Sequence, residues 1–239
     1  MNRTKIREII IRLDEYSGNN ITKQKIINLL DLLIATKLSQ NTTDKSSYMA
    51  YRNLKNKYRK WDTVISAPLP QLKNEIKVCG LADKKSKEIR NMLKDMKENY
   101  GKLSLEHLRK YTDDKVYEEL LQYKGIGKKT ISCLLAFGLD RNVFPVDTHV
   151  HRILNRTGIV GTKTPDETFE TAKSLIPDEK KVSFHTNLIK FGRSICKAPK
   201  PLCGECVIYD LCSFKDKKYY REFNAGKVKR NDFIILENL

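Results

Sequence analysis

Residues 119–138 read ELLQYKGIGKKTISCLLAFG, and two helical patterns flank the glycines of this segment. Gly125 and Gly127 stand one residue apart, which lets a backbone turn tightly and approach a ligand closely. Ile126, between them, is expected to anchor the turn in the core. Amides of such a turn and of the following helix bind phosphate oxygens well. The segment therefore predicts a hairpin, a turn between two helices that binds phosphate, with Lys128 adding positive charge; the alternative is an ordinary helix–helix turn with glycine caps. The formal net charge of +17 favours a nucleic-acid backbone as the source of that phosphate.

The rest of the chain is also patterned for helices. Apolar residues recur at helical spacing, and no run of β-branched residues alternates over more than about five positions. These features predict an all-α protein. Its expected boundaries are Gly18 at the end of the first helix, Thr22 at the start of the second, Thr43 or Asp44 at the start of the third, Gly101 after a long apolar stripe, Asp113 or Asp114 before the hairpin, and a helix over residues 128–137 after it.

Positive charge dominates the composition. The chain of 239 residues has 46 Lys and Arg against 29 Asp and Glu, a formal net charge of +17. Such a charge indicates a polyanionic partner, although a Lys-rich proteome would produce the same balance. No stretch of about 18 apolar residues is present to span a membrane, and the N-terminus is interrupted by charges, unlike a secretory signal. We therefore expect a cytoplasmic, nucleoid-associated protein of a prokaryote that does not enter membranes.

A cysteine cluster predicts a metal site near the C-terminus. Four of the six cysteines lie in the last fifth of the chain, at positions Cys196, Cys203, Cys206 and Cys212. Four thiolates within 17 residues can enclose one metal centre, and their spacing alone leaves zinc and a [4Fe–4S] cluster equally open. Lys197 and Lys200 lie in the first loop between these cysteines. They predict a basic protrusion that makes a second contact with a nucleic-acid backbone.

Lys129 and Asp147 are the candidate catalytic residues. Lys129 falls in the first turn of the helix after the hairpin, where the helix dipole and partial burial disfavour an ammonium and favour a nucleophilic amine. A second phosphate-contacting lysine is the alternative. Asp147 lies 18 positions further on, at the start of another helix. It is expected to cap that helix, and a capping carboxylate stays ionised and can stabilise developing positive charge.

These segments together resemble the endonuclease III family of base excision repair DNA glycosylases. YKGIGKKT at 123–130 is similar to the family hairpin L-P-G-V-G-R-K-T, with Lys124 in place of the proline. VDTHVHRILNR at 146–156 is similar to V-D-T-H-x-x-R-x-x-N-R, and the cysteine spacing C-x6-C-x2-C-x5-C is the same. The resemblance covers roughly residues 20–213, and it favours [4Fe–4S] over zinc.

The resemblance implies two helical domains with a DNA-binding groove between them. A six-helix barrel with the helix–hairpin–helix would occupy residues 21–138. A discontinuous [4Fe–4S] cluster domain would occupy residues 1–20 and 139–220, followed by a tail over 221–239.

The resemblance also implies roles for single residues. Lys129 falls on the catalytic lysine of the family and Asp147 on its catalytic aspartate, and the four cysteines fall on its cluster ligands. The LSQNTTD segment at 38–44 is similar to the family segment that enters DNA opposite the damaged nucleotide, which assigns Gln40 and Asn41 to that role. The family often has Gln where Asn41 stands. Leu81 resembles the residue that wedges into the duplex.

The function implied is that of a bifunctional DNA glycosylase and AP lyase. It would remove damaged bases, oxidised pyrimidines above all, through a lysine Schiff base and nick the strand by β-elimination. Its partner would be double-stranded DNA with damaged bases or abasic sites, bound by a monomer. Two alternatives stay open: a glycosylase that removes thymine or uracil mispaired with guanine, and a non-catalytic DNA-binding module with a four-cysteine zinc site.

Overall fold

The structure, a computed structural model of the chain, describes residues 2–18 and 28–223. Regular structure in these ranges is helical throughout, which confirms the all-α prediction. Its α-helices are α1 (Asn2–Ser17), α2 (Leu29–Leu38), α3 (Asp44–Lys57), α4 (Trp61–Ser66), α5 (Leu69–Ile76), α6 (Ala82–Tyr100), α7 (Asp113–Leu121), α8 (Lys128–Cys133), α9 (Thr148–Arg156), α10 (Pro165–Ala172), α11 (Lys181–Ser194) and α12 (Lys217–Phe223).

The described residues form two compact units. Residues 28–140 make up one unit, and residues 2–18 together with 141–223 make up the other. The limits predicted from the sequence, 21–138 against 1–20 and 139–220, stay predictions. Most of the predicted tail over 221–239 lies outside the described residues, as does Thr22.

Helix α2 is the centre of the 28–140 unit. Every side chain from Leu32 to Leu38 is buried, because α3, α6 and α8 all pack against this helix. The helix begins after Asn28, whose side chain accepts a hydrogen bond from the Asp31 amide at 3.0 Å. A mostly apolar helix that is buried on nearly every side is stable only inside a core. It therefore gives the segments that follow it, up to the hairpin, a rigid support.

Several helix boundaries of this unit follow the predictions. The Thr43 hydroxyl caps α3, and Gly101 ends α6 in the left-handed conformation at φ +68°. Helix α7 begins at Asp113, with Thr112 as its cap. The helix predicted over 128–137 differs: its α-helical part ends at Cys133, and a single π turn continues to Gly138. A π turn inserts one extra residue into the helix and shifts the register of the segment after it.

The second unit is built around α9 and α11. Helix α11 packs against both α1 and α9, with Phe184 and Phe191 fully buried and Phe184 stacked on Phe144. Helix α1 contributes Ile6, Ile9 and Leu13 to this core. None of the helices in the described ranges is long and apolar enough to cross a membrane.

Candidate active site

The segment between α7 and α8 is a tight turn anchored in the core. Gly125 has φ +78°, a left-handed conformation that favours glycine. The Ile126 amide donates to the Tyr123 carbonyl at 3.0 Å, and the Ile126 side chain is only 4% exposed. The anchoring role predicted for Ile126 is therefore seen, and any DNA contact of this residue would come from its backbone. Gly127 is exposed and precedes the first turn of α8.

The two glycines of this turn differ in what they tolerate. A Cβ at Gly125 would lie 2.0 Å from Lys37 Nζ, whereas a Cβ at Gly127 meets nothing within 4 Å. We expect Gly125→Ala to lower the free energy of unfolding by about 2 kcal/mol or more. The left-handed backbone is strained for alanine, and the added methyl group would clash with Lys37. Gly127→Ala, at φ −115°, is the matched control. Urea unfolding of both variants measures the difference, and equal stabilities would contradict the packing described.

Lysines surround this turn at different depths. Lys124 and Lys128 are exposed beside the glycines, whereas Lys129, the second residue of α8, is half-buried. Exposed ammonium groups next to the turn attract phosphate, because phosphate contacts dominate affinity for nucleic acids. The half-buried Lys129 is distinguished from its neighbours by this burial.

Asp147 is the N-cap of α9, as predicted. Its Oδ1 accepts hydrogen bonds from the amides of His149 at 2.8 Å and Val150 at 2.9 Å. The two amide donors fix the carboxylate at the start of the helix. Burial lowers the pKa of the neighbouring His149, which favours a neutral ring. Asp147 is half-buried in the unit of residues 2–18 and 141–223, and Lys129 belongs to the unit of residues 28–140.

The structure separates Gln40 from Asn41. The Gln40 Nε2 amide donates to the Gly125 carbonyl at 3.0 Å and to Thr130 Oγ1 at 3.2 Å, so this side chain is engaged with the hairpin. Asn41 is exposed, with φ +53°, and Leu81 is 54% exposed, with φ +51°. Non-glycine residues in such conformations are uncommon and cluster at functional sites. The predicted contacts of Gln40, Asn41 and Leu81 with DNA stay predictions, and the Gln40 side chain in addition supports the hairpin.

Lys85 joins the two segments that carry Asn41 and Leu81. Its buried Nζ donates to the Leu38 carbonyl at 2.8 Å and to the Cys79 carbonyl at 2.9 Å. Burial lowers the pKa of Lys85. Sequence reasoning missed this residue, because it stands in a Lys-rich run that looks like an exposed helix face.

The cysteine loop, residues 196–212, is held by helix α9. Arg152 donates to the Cys196 carbonyl through Nε at 3.0 Å and Nη2 at 2.8 Å. Arg156 donates to Cys196 Sγ at 3.4 Å and to the Lys197 carbonyl at 2.7 Å. No role was predicted for either arginine, although both stand in the motif at 146–156 and their spacing of four residues places them on one face of α9. Lys200, at φ +52°, is exposed in this loop, and Lys197 is half-buried.

The four thiols of the cysteine loop influence one another. Burial raises the pKa of Cys206 to about 12, and the charges of the other three thiols contribute to this rise. All four are free cysteines and half-buried. Within residues 2–18 and 28–223, no group of three or more His, Cys, Asp or Glu side chains is arranged as a metal site. The loop thus makes the four predicted ligands neighbours, although they do not close around a single metal ion.

The comparisons with known proteins agree with this geometry. The HhH-GPD superfamily of base excision DNA repair proteins matches residues 34–178, more than half of the chain. Endonuclease III of Thermotoga maritima is 36% identical over 198 residues, which cover 83% of this chain and 86% of that protein. A candidate DNA glycosylase of Arabidopsis thaliana is 41% identical over 181 residues, 75% of this chain, and the match spans only 59% of the plant protein's length.

A solved structure of a trapped endonuclease III–DNA covalent intermediate is similar in fold. It has a TM-score of 0.78 and 27% identity, and the match covers 92% of this chain and 98% of the other. The chain therefore belongs to the HhH-GPD superfamily of base excision DNA repair proteins and, within it, to the endonuclease III family of DNA glycosylases with AP lyase activity.

Proposed function

We propose that Lys129 is the nucleophile and Asp147 its carboxylate partner in a bifunctional glycosylase and AP lyase reaction on damaged bases, oxidised pyrimidines above all. The observation that supports this most is the position of Lys129, half-buried in the first turn of α8 directly after the exposed glycine turn. Phosphate held by the turn brings a sugar close to the same helix end. The trapped covalent complex of the related fold is consistent with a covalent step.

The reaction requires the damaged nucleotide to leave the duplex. Extrusion costs a few kcal/mol and least for a damaged or mispaired base, which contributes to selectivity. Leu81 and Asn41, which are both exposed and both have a left-handed backbone, are the residues that would fill the space left behind. Lys124 and Lys128 beside the hairpin, with Lys200 of the cysteine loop, would bind the phosphates on either side.

The chemistry can be written with every bond accounted for. The neutral Lys129 amine attacks C1′ as the bond from C1′ to the base breaks. Asp147 stabilises the positive charge on the sugar, accepts a proton from the attacking nitrogen and passes it to the departing base. Water then protonates O4′ as the bond from C1′ to O4′ breaks, which opens the sugar ring and leaves a protonated Schiff base between C1′ and Lys129. The Schiff base acidifies C2′, and water takes the C2′ proton as the bond from C3′ to the phosphate oxygen breaks. Water then releases Lys129, leaving a nicked strand.

The four cysteines would hold a [4Fe–4S] cluster. Their chemistry fits, because four thiols in one short loop match the thiolate set that such clusters require, and the Arg156 guanidinium and the Phe214 amide both donate to sulfur. When bound, the cluster would supply a cross-link that shapes the loop and its lysines. No reaction step depends on it.

The cluster is tested by spectroscopy. We expect the purified protein to absorb broadly near about 400 nm and Cys206→Ser to lose that band, as expected for thiolate-bound iron–sulfur clusters. Cys133→Ala, a buried cysteine of the other unit, is the matched control and should keep the band. A colourless wild-type protein that contains zinc would contradict the proposal.

Borohydride trapping tests the covalent mechanism. The wild-type protein, incubated with a duplex that contains one abasic site, should form a covalent adduct when borohydride reduces the Schiff base. It should also nick that strand without borohydride. DNA binding with neither adduct nor nick would overturn the proposed chemistry.

A further inference from the structure

A buried ion pair lies directly beneath the hairpin. Lys37 Nζ is 2.6 Å from Glu88 Oε2, and the two side chains are 2% and 6% exposed. Buried pairs of this kind are poor stabilisers, because removing two charges from water offsets their attraction, and apolar replacements of similar size are often neutral or better. Stability alone therefore does not explain why α2 and α6 place these two groups in the core.

The third partner of this pair is the hairpin itself. Lys37 Nζ also donates to the Gly125 carbonyl at 2.8 Å. A Cβ on Gly125 would lie 2.0 Å from Lys37 Nζ and 2.5 Å from Glu88 Oε2, so the turn packs directly on the pair. The ammonium thus bridges a carboxylate of α6 and a carbonyl of the turn.

Gln40 extends these contacts to α8. Lys37 Nζ donates to Gln40 Oε1 at 3.3 Å, and Gln40 Nε2 donates to the Gly125 carbonyl and to Thr130 Oγ1. Thr130 is 2% exposed and is the residue next to Lys129. One chain of hydrogen bonds therefore runs from the core to the helix turn that carries the proposed nucleophile.

We propose that Lys37, fixed by Glu88, is a positioning residue for the reaction: together with Gln40 it sets the position of the hairpin and of the first turn of α8. It touches neither DNA nor the reacting atoms. The inference rests on the proposed role of Lys129, because the network would keep the Lys129 amine at the position from which it reaches the sugar. Small displacements of a reacting group slow a reaction strongly.

The test separates positioning from stability. Lys37→Met leaves the Glu88 carboxylate buried without its partner and should lower both the Tm and the rate. Lys37→Met/Glu88→Met replaces the pair with apolar side chains and should recover most of the lost Tm. Its single-turnover rate of adduct formation at saturating abasic DNA should nevertheless stay at least about tenfold below wild type, since the Gly125 carbonyl has lost the Lys37 donor and Gln40 has lost the ammonium that fixes its Oε1.

Two further variants keep the test decisive. Thr130→Val removes the acceptor of Gln40 with little change in shape, and it should slow adduct formation a few-fold at a nearly unchanged Tm. Lys97→Met breaks the exposed ion pair between α6 and Asp62, remote in sequence from the hairpin, and should leave the rate unchanged. In the double variant, hydrogen exchange of the amides over 123–130 should be faster than in wild type.

The outcomes distinguish this inference from the function it rests on. If wild type itself forms no adduct, the proposed role of Lys129 fails. If wild type forms the adduct and the folded double variant matches its rate, Lys37 is structural only and this inference alone is overturned. If the double variant does not fold, the Thr130→Val variant decides. A wild-type rate of adduct formation in Thr130→Val, together with wild-type hydrogen exchange of the hairpin amides, also overturns the inference.

Discussion

Lys129→Gln should abolish the covalent adduct between this protein and an abasic duplex. Glutamine has no amine to form a Schiff base, so borohydride should trap nothing and β-elimination should stop. We expect the rate of strand nicking to fall on the order of 10³-fold or more, as for the removal of other catalytic nucleophiles. Single-turnover assays with an abasic site measure the chemical step directly, because no base has to be recognised first.

Lys128→Gln is the matched control for this result. Lys128 is the preceding residue, has the same side chain and is exposed beside the hairpin. Its loss should weaken DNA binding and reduce the slope of log affinity against log salt by about one, while the adduct still forms at saturating DNA. An adduct of undiminished strength with Lys129→Gln, or its disappearance with Lys128→Gln instead, would show that the nucleophile is a different group.

Asp147→Asn should separate the two roles of this side chain. Asparagine caps helices about as well as aspartate, so the bonds to the amides of His149 and Val150 and the Tm should be largely kept. The negative charge is lost, and with it the stabilisation of the positive sugar. We therefore expect base release and nicking to slow by roughly 10²–10³-fold, the usual effect of removing one electrostatic contact to a transition state.

Asp147→Ala provides the comparison. It removes both the charge and the cap, so it should lose the same activity and in addition about 1 kcal/mol of stability. Rates from single-turnover assays and Tm values from thermal unfolding give both quantities for the two variants. If the stable Asp147→Asn protein has wild-type activity, Asp147 only caps the helix and has no catalytic role.

The parts of the site that could be predicted are those whose chemistry lies close together in the sequence. The glycine turn, the buried Ile126 between its glycines and the cap at Asp147 each depend on a few adjacent residues. The backbone conformation that these residues require can therefore be predicted from the sequence before the fold is known. The four cysteines are of the same kind, since their spacing limits the chemistry even before the loop is placed.

The residues of the site that could not be predicted make contacts with residues far away in the sequence. Lys37 lies 51 positions from Glu88 and 88 positions from Gly125, and in the apolar helix α2 it resembles a single charge on a solvent-facing side. Gln40 was predicted to contact DNA because it lies in a segment similar to one that enters DNA. That contact stays a prediction, whereas the bond between the Gln40 amide and the hairpin was not predicted. Only the packing of α2 and α6 against the hairpin places these groups together.

The close fit of Gly125 against Lys37 and Glu88 also constrains how descendants of this gene can diverge. A single mutation of Lys37 or Glu88 leaves the other charge buried without its partner, so a protein with only one of the two mutations should be selected against. A single mutation of Gly125 places a side chain in space that is already filled. We therefore expect related sequences either to keep all three residues or to replace Lys37 and Glu88 together.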